Sequence, residues 1–438
     1  MTTTTGTTTT AAATAAAAAT SAGAGAGGEG ARVRALTTRY RTYLSKGRAS
    51  LGEMFGGDVE DSSDGAWLQT AAGRRILNCG GYGVFLMGAR HPRVLAEVRR
   101  QLETNPVATR LLLEPEVVDA AEALVAVAPA GLQKVHFAGG GAEAVEAAIK
   151  LARAQGRRHL VSMEGGYHGK TMGALSVTAK DTFQAPFQPL LPGVSRVPYG
   201  DAGALESVLA RHEGEACVIV EPVQGEAGVI VPPAGYLHQV QQLCRRYGAL
   251  FVLDEIQTGL GRLGHWWGAD AEGVRPDVLL VGKALSGGIV PVSAMVATAE
   301  AFRPFDKDPF IHTSTFSCNP LAMAAAKGAL AAIGEDRLVE RAAELGQLLR
   351  SEIERIARHV LGDRVLEVRG AGLLIGIEFT VPGMAGDLLL ELIGAGVLGN
   401  HSLNSATVMR LTPPAILTPT DVTFLLDAFE RAARAVLN

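Results

Sequence analysis

Leu250-Phe251-Val252-Leu253-Asp254-Glu255-Ile256-Gln257-Thr258-Gly259 and, further along, Val278-Leu279-Leu280-Val281-Gly282-Lys283-Ala284-Leu285-Ser286-Gly287-Gly288 are built alike: an apolar run stops at charged residues and glycine. A run without polar alternation suits a strand covered on both faces. Similar runs recur at Val135 to Phe137, His159 to Met163, Cys217 to Val220 and Val292 to Val296, with helix-period segments between them. From about Gly88 to Gly328 this alternation predicts an α/β fold, a mostly parallel sheet flanked by helices.

On either side the pattern changes. Residues 1–30 form a Thr/Ala/Gly tract with no basic start and no strongly apolar core. It fails as a secretory signal and reads as a disordered low-complexity tail. Residues 31–87 carry a helix-like segment, Ala31 to Leu44, and a hairpin-like pair, Trp67-Leu68-Gln69 and Arg75-Ile76-Leu77, joined through Ala72-Gly73. Beyond residue 328 come a helix over Leu338 to Ala357, strands at Val365 to Arg369, Leu373 to Phe379 and Val408 to Leu411, and a helix from Thr420 to Leu437. The expected organisation is a large domain over 88–328 and a small α+β domain built from both ends, 31–87 and 329–438.

The chain has 40 basic and 44 acidic residues, a formal charge of −4, with the basic ones scattered. No footprint for nucleic acid or an anionic membrane results, and no window holds the roughly 18 apolar residues of a membrane span. The four cysteines, Cys79, Cys217, Cys244 and Cys318, include no C-x-x-C pair. They read as free thiols of a reducing compartment, not as a disulfide framework or zinc site. The expectation is a cytoplasmic protein acting on small molecules without a metal.

In an open parallel sheet, ligands bind beyond the carboxyl ends of the strands, where Asp254 and Lys283 both fall. A lone lysine in a glycine loop is ordinarily solvated, and a lone aspartate there ordinarily caps a turn. Together at two strand ends they favour chemistry. Pyridoxal chemistry requires such a pair: an amine to form the imine, and a carboxylate to keep the pyridine nitrogen protonated so that the ring accepts electrons. Burial would deprotonate the lysine for reuse as a proton shuttle.

Val135-His136-Phe137-Ala138-Gly139-Gly140-Gly141-Ala142-Glu143-Ala144 runs from a strand through glycines into a helix, whose first N–H groups suit a phosphate. It also reads G-x-G-x-x-A, with Glu164 ending the next strand, as in a dinucleotide fold. Its place well into the chain, and the Asp254 and Lys283 pair, favour the phosphate of pyridoxal. Tyr167, in Gly166-Tyr167-His168-Gly169-Lys170-Thr171, is placed to stack on a flat ring, or else to fill a core. Arg410, among apolar residues in Met409-Arg410-Leu411-Thr412, would hold a carboxylate bidentately or pair with a nearby acid.

From about Gly65 to Asn438 these motifs resemble the class III, fold-type-I aminotransferases. The resemblance is strongest to the putrescine and ornithine aminotransferase branch, through Tyr167-His168-Gly169-Lys170, Ala174 to Lys180, Glu221-Pro222-Val223-Gln224-Gly225-Glu226 and Phe310 to Phe316. It implies pyridoxal 5'-phosphate as cofactor, with Lys283 as imine lysine and Asp254 as partner of the ring nitrogen. Gln257 would hold the ring hydroxyl, Tyr167 would stack, and His168 belongs to the same cofactor set. Gly140, Gly141 and Ala142 would hold the phosphate with Thr315 of the neighbouring subunit in a homodimer whose sites lie at the interface. Arg410 matches the arginine that binds the α-carboxylate of glutamate, and Glu226 the acid that pairs with it for substrates lacking that carboxylate. Two departures stand out. Gly139-Gly140-Gly141 replaces Asn-Ser-Gly, with loss of a serine hydroxyl, and Ser317-Cys318 stands where relatives often have two glycines.

The expected activity is ping-pong transamination between an amine or ω-amino donor and 2-oxoglutarate or glutamate. An aminomutase, epimerase or decarboxylase of the same fold would use Lys283 and Asp254 equally well. A nicotinamide-dependent oxidoreductase would give Lys283 no role, and a binding subunit without activity would have no use for Lys283, Asp254 and Arg410. The motifs leave the donor open; N-terminal residues such as Phe55 and Tyr82 are candidates to line its pocket.

Overall fold

The computed structural model describes residues 26–437. The tail expected over residues 1–30 lies outside the described residues as far as residue 25, and from Ala26 the chain is helical to Tyr43. The chain divides into two compact units, one holding the described residues up to Ser62 together with Gln69–Arg74, the other holding Ser63–Leu68 and Arg75 onward.

In the first unit a second helix, Lys46–Met54, starts where Ser45 accepts the N–H of Arg48 at 3.0 Å, and Phe55 closes it. The predicted hairpin turn lies at Thr70–Arg74, where Gly73 has a φ of +78° and donates to Thr70 O at 2.8 Å. Arg74 is ion-paired with Asp58.

The strands in chain order are β1 (Glu60–Asp64), β2 (Trp67–Thr70), β3 (Arg75–Asn78), β4 (Leu132–Ala138), β5 (His159–Met163), β6 (Val194–Val197), β7 (Ala216–Val220), β8 (Leu250–Asp254), β9 (Val278–Val281) and β10 (Ser293–Thr298). They continue as β11 (Val365–Ala371), β12 (Leu374–Phe379), β13 (Val397–Leu398), β14 (Asn400–His401) and β15 (Val408–Leu411). The large sheet of the second unit has the order β4-β10-β9-β8-β7-β5-β6. β10 is antiparallel to both its neighbours, whereas the pairs from β9 through β6 are parallel. Every residue of β7, β8 and β9 is buried, which is why their sequences carry no polar alternation.

Helix Gly141–Ala154 covers one face of this sheet. Ala144, Val145, Ala148, Ile149 and Leu151 pack on Cys217, Ile219, Leu250, Val252, Val278 and Leu280. The sheet residues alternate in sequence, as one face requires. Alanines let helix and sheet approach closely, and each fully buried Val, Leu or Ile contributes about 1.5–3 kcal/mol.

The C-terminal region forms an antiparallel sheet, β11-β12-β15-β14, with helix Leu338–Leu361 packed on β11 and on helix Pro419–Ala435. β13 pairs in parallel with β3, Val397 opposite Leu77, so residues 75–78 join the far end of the chain. Arg262, fully buried, donates to the carbonyls of Leu373 (3.2 Å), Pro413 (2.6 Å) and Gly83 (3.3 Å). Burial brings its pKa down to about 9.

Gly346 sits in helix Leu338–Leu361 where a Cβ would strike the carbonyl of Gly372, itself wedged against Leu263 and Arg262. On an open helix face Gly→Ala gains roughly 0.5–1 kcal/mol. Here overpacking against backbone reverses the sign, a loss of about 1–3 kcal/mol. Gly346→Ala is therefore expected to lower the apparent melting temperature, while Gly386→Ala, with open space around it, is not. Equal behaviour of the two variants in a thermal melt would show that Gly346 makes no such contact.

Candidate active site

Strand order sets the site. β5, β7, β8 and β9 lie side by side and run the same way, so the residues after them emerge at one sheet edge. Tyr167 and His168 follow β5, Glu221 follows β7, Asp254 ends β8 and Lys283 follows β9. β4 is antiparallel to β10, which is antiparallel to β9. It thus runs with the parallel strands and delivers Gly139 to Ala142 to the same edge.

Asp254 is buried; its Oδ2 lies 2.7 Å from His168 Nδ1 and its Oδ1 accepts the N–H of Ile256 at 3.1 Å. The His168 N–H donates to Thr178 Oγ1 at 2.9 Å, and that hydroxyl donates to Gly169 O at 2.9 Å. Burial disfavours a charged imidazole, but the hydrogen bond to Asp254 and the charges of Asp254 and Glu221 outweigh it, leaving the His168 pKa raised. Glu221 accepts the N–H groups of Tyr167 at 2.9 Å and Gly225 at 3.3 Å. Burial pushes its pKa up to about 7 although His168 opposes the shift. The other acid of the quoted pair, Glu255, faces away from the site. It takes the Thr258 hydroxyl at 2.6 Å and the Ala269 N–H at 2.9 Å, as successive residues on opposite sides of a strand end must.

Lys283 has a φ of +44°, a backbone state that costs about 1–3 kcal/mol away from glycine. The side chain keeps partial exposure, yet burial of the amine brings its pKa down to about 8, assisted by Arg410 and opposed by Glu226, Glu221 and Asp254. Gln257 Nε2 donates to Tyr82 O at 3.2 Å. A Cβ at Gly83 would lie 3.6 Å from Gln257 Nε2 and 4.0 Å from Lys283 Cδ, so one glycine borders both side chains. Gly141 and Gly282 both touch Ile256, where added Cβ atoms would lie 3.1 and 3.2 Å from its side chain. The helix start and the lysine loop thus meet across one isoleucine. Gly140 caps that helix and is exposed, with nothing within 4 Å of where a Cβ would stand. The Glu143 N–H turns back to Gly140 O at 2.9 Å, and those of Gly141 and Ala142, in the first turn, have no acceptor within the helix.

Arg410 is fully buried on β15. Its Nη2 donates to Glu226 at 2.7 Å and to His401 O at 3.1 Å, while Nε and Nη1 are buried without a partner. Glu226 also accepts the N–H of Leu403 at 3.1 Å. Tyr167 is half-buried, and burial, followed by the charge of Glu226, raises its pKa. Thr315 stands apart: it is exposed on the loop after helix Ala299–Lys307, where the guanidinium of Arg110 donates to Ser314 O. A cavity of about 760 Å³ opens at the opposite edge of the sheet, lined by Leu250, Asp277 and Thr298 among others, and Lys283, Asp254, His168, Glu226 and Arg410 take no part in it. Sequence reasoning gave no role to Glu221 or Thr178. Glu221 carried a usable signal, since it follows a strand as apolar as the one before Asp254.

A fold with this strand order, with a lysine and an aspartate at its carboxyl edge, marks a pyridoxal-phosphate-dependent enzyme of fold type I. Residues 57–433 match the family model described as aminotransferase class-III, and the chain belongs to that family. Ornithine aminotransferase from Toxoplasma gondii ME49 is 30% identical, with 92% of this chain and 96% of that one covered and a TM-score of 0.85. Acetylornithine aminotransferase from Elizabethkingia anophelis is 31% identical over 87% of this chain and 97% of that one, TM-score 0.75. An amine transaminase from an uncultivated Pseudomonas species, solved with pyridoxal phosphate bound, is 29% identical over 86% of this chain and 95% of that one, TM-score 0.80.

The residues present fit the cofactor. A lysine with a depressed pKa, a buried aspartate held by a histidine, and an open glycine cradle at a helix start converge at one edge. Burial favours the neutral amine, so at neutral pH the cofactor-free protein has far more reactive amine at Lys283 than an ordinary lysine offers. Acylation of Lys283 in the cofactor-free protein, followed by peptide mass spectrometry, is expected to rise with a midpoint of about 8. A midpoint near the ordinary lysine value of about 10.4 would show that the site does not depress it.

Proposed function

We propose that this aminotransferase moves an amino group from an amine or ω-amino donor, such as a diamine or an ornithine- or lysine-like compound, to 2-oxoglutarate. The observation that carries the reading is the guanidinium of Arg410: it is fully buried, tied to Glu226 through one nitrogen, with Nε and Nη1 left without acceptors. A buried donor without a partner costs about 1–3 kcal/mol, and the carboxylate of a 2-oxo acid that displaces Glu226 would bind bidentately through Nη2 and one of these two nitrogens. When a donor without that carboxylate enters, Glu226 keeps the charge of Arg410 paired. Alternation of the two states suits transamination better than a reaction on a single substrate.

Pyridoxal phosphate, when bound, supplies an electron sink for the carbon that bears the amino group and a carrier for that group. In our reading Lys283 holds it, and its freed Nζ takes the proton from the amine-bearing carbon of the donor. Asp254, oriented by His168, keeps a proton on the ring nitrogen. Gln257 holds the ring hydroxyl, Tyr167 stacks on the ring, and the N–H groups of Gly140, Gly141 and Ala142 bind the phosphate. We further infer a homodimer in which Thr315 completes the neighbouring subunit's phosphate site. Leu111, Leu112, Leu113, Phe310 and Phe316 are exposed on the two loops that Arg110 ties together, and an apolar patch of this kind favours a partner surface. Four free thiols, three of them buried, support the cytoplasm as its compartment.

The holoenzyme is expected to show a visible absorption band, the mark of the bound cofactor. Putrescine, ornithine or lysine should bleach it and 2-oxoglutarate restore it; Lys283→Ala should abolish turnover. A band that none of these amines alters would overturn the donor assignment. Arg410→Met is expected to raise KM for 2-oxoglutarate by about two orders of magnitude, the size of losing one partner of a buried charge pair. Steady-state kinetics check this, and an unchanged KM would remove Arg410 from the carboxylate site.

A further inference from the structure

The loop that carries Glu226 is gripped from its other end by a residue without a role so far. β11, β12 and β15 bring Arg369, Gly376 and Arg410 into one cross-strand row, Arg369 opposite Gly376 and Gly376 opposite Arg410. The turn Gly228–Val229 lies over the middle of that row. A Cβ at Gly376 would stand 3.0 Å from Val229 Cβ and 3.1 Å from Gly228 O, so the glycine leaves the space the turn fills. Arg410 holds the near end of the loop through Glu226 at 2.7 Å. Arg369 holds the far end: Nε donates to Gly228 O at 2.9 Å and Val229 O at 3.1 Å, and Nη2 to Gly228 O at 2.7 Å. Its Nη1 faces outward to Glu367 at 2.9 Å and to Glu378.

The turn needs this grip. Val229, a β-branched residue, has a φ of +57°, a conformation that is a steric outlier for such side chains. Charge-assisted hydrogen bonds of a planar fork to adjacent carbonyls offset strain of that kind and fix direction as well as distance. At its other side the loop is pinned where Asn404 N–H donates to Glu226 O at 3.0 Å. The backbone around Glu226 is thus held at both ends, and the side chain, tied to Arg410 and to the N–H of Leu403 at 3.1 Å, can turn away by giving up these two bonds alone.

We propose that Arg369 is a positioning residue for the exchange between carboxylated and uncarboxylated partners: by fixing the Gly228–Val229 turn it makes Glu226 leave and regain Arg410 by side-chain rotation on a stationary backbone. This rests on the reading of Arg410 and Glu226 given above. With the backbone fixed, Glu226 returns to Arg410 without a search, and the preorganisation lowers the entropic cost of re-forming the pair. With the turn loosened, an uncarboxylated amine meets a buried guanidinium whose counter-charge is poorly placed. A carboxylated partner brings its own counter-charge and is affected less.

The test uses the holoenzyme and the variants Arg369→Gln, Arg369→Lys and Glu226→Gln. Amide hydrogen exchange of a peptide spanning residues 222–231 reads the loop, and the rates at which putrescine and L-glutamate bleach the visible band read the preference. In Arg369→Gln the loop amides should exchange faster, and the ratio of kcat/KM for putrescine to that for L-glutamate should fall roughly tenfold, the scale of one charge-assisted hydrogen bond. Arg369→Lys keeps the charge beside Glu378 but not the fork, and should lie between. Unchanged loop exchange, or equal losses with both amines as a merely structural role would give, overturns the proposal. If Glu226→Gln leaves the ratio unchanged, the reading of the Arg410–Glu226 pair fails, and this proposal with it. If neither amine bleaches the band of the unmodified holoenzyme, the donor reading fails, and this proposal with it.

Discussion

The buried ion pair between Arg410 and Glu226 ties the seven-stranded sheet of the second unit to the antiparallel sheet β11-β12-β15-β14. Glu226 belongs to the loop after β7 of the parallel sheet, and Arg410 to β15 of the antiparallel one. Both side chains are buried, so each depends on the other: removing one partner of such a pair costs several kcal/mol because the charge left behind cannot be solvated. The surrounding contacts serve this constraint. Leu403 and Asn404 donate their N–H groups to Glu226, and the Asn404 side chain reaches Gly165 O at 2.8 Å in the segment that leads to Tyr167. The loop after β5, the loop after β7 and the C-terminal sheet are thereby held in one arrangement.

That arrangement has consequences only because four parallel strands end at one edge. Continuous apolar runs bury β7, β8 and β9 on both faces and leave no polar side chain until the strand stops. The first polar residue after each run therefore appears at the carboxyl edge: Glu221, Asp254, Lys283. Glycines set the spacing between these groups. Gly225 leaves the place that Gln257 Oε1 occupies, and Gly141 and Gly282 admit Ile256 between the helix start and the lysine.

Much of this was legible in the sequence. The runs 159–163, 278–281 and 408–411 form strands with the predicted ends, and the others differ by a residue or a few. The strand-end rule brought out Asp254 and Lys283 without any relative for comparison. Less legible were features that depend on tertiary contacts. β6 reads Val-Ser-Arg-Val and sits at the sheet edge, where no continuous apolar run is required. The antiparallel direction of β10 leaves no trace in a pattern of residues buried on both faces. Thr178 acts through the N–H of His168, 10 residues before it, and Arg369 through Gly228 O, 141 residues before it, and no local periodicity encodes such partners. The first helix starts at Ala26, within a stretch whose composition suggested no order beyond low complexity.

The same ion pair also reaches the lysine. Burial is the largest influence on Lys283, and of the charged groups around it Glu226 contributes most to keeping it protonated, while Arg410 acts in the opposite sense. A pair that stays together presents Lys283 with charges that largely cancel. In the proposed cycle a substrate carboxylate takes the place of Glu226 on Arg410 and brings the same charge to the same guanidinium. The electrostatic surroundings of Lys283 are then nearly alike with either partner, because one carboxylate replaces another. In the proposed cycle a single lysine would in this way serve as base toward two substrates of different charge. In that proposed cycle the buried arginine would recognise the carboxylate, and its exchangeable counter-ion would keep that recognition from altering the basicity on which both half-reactions depend.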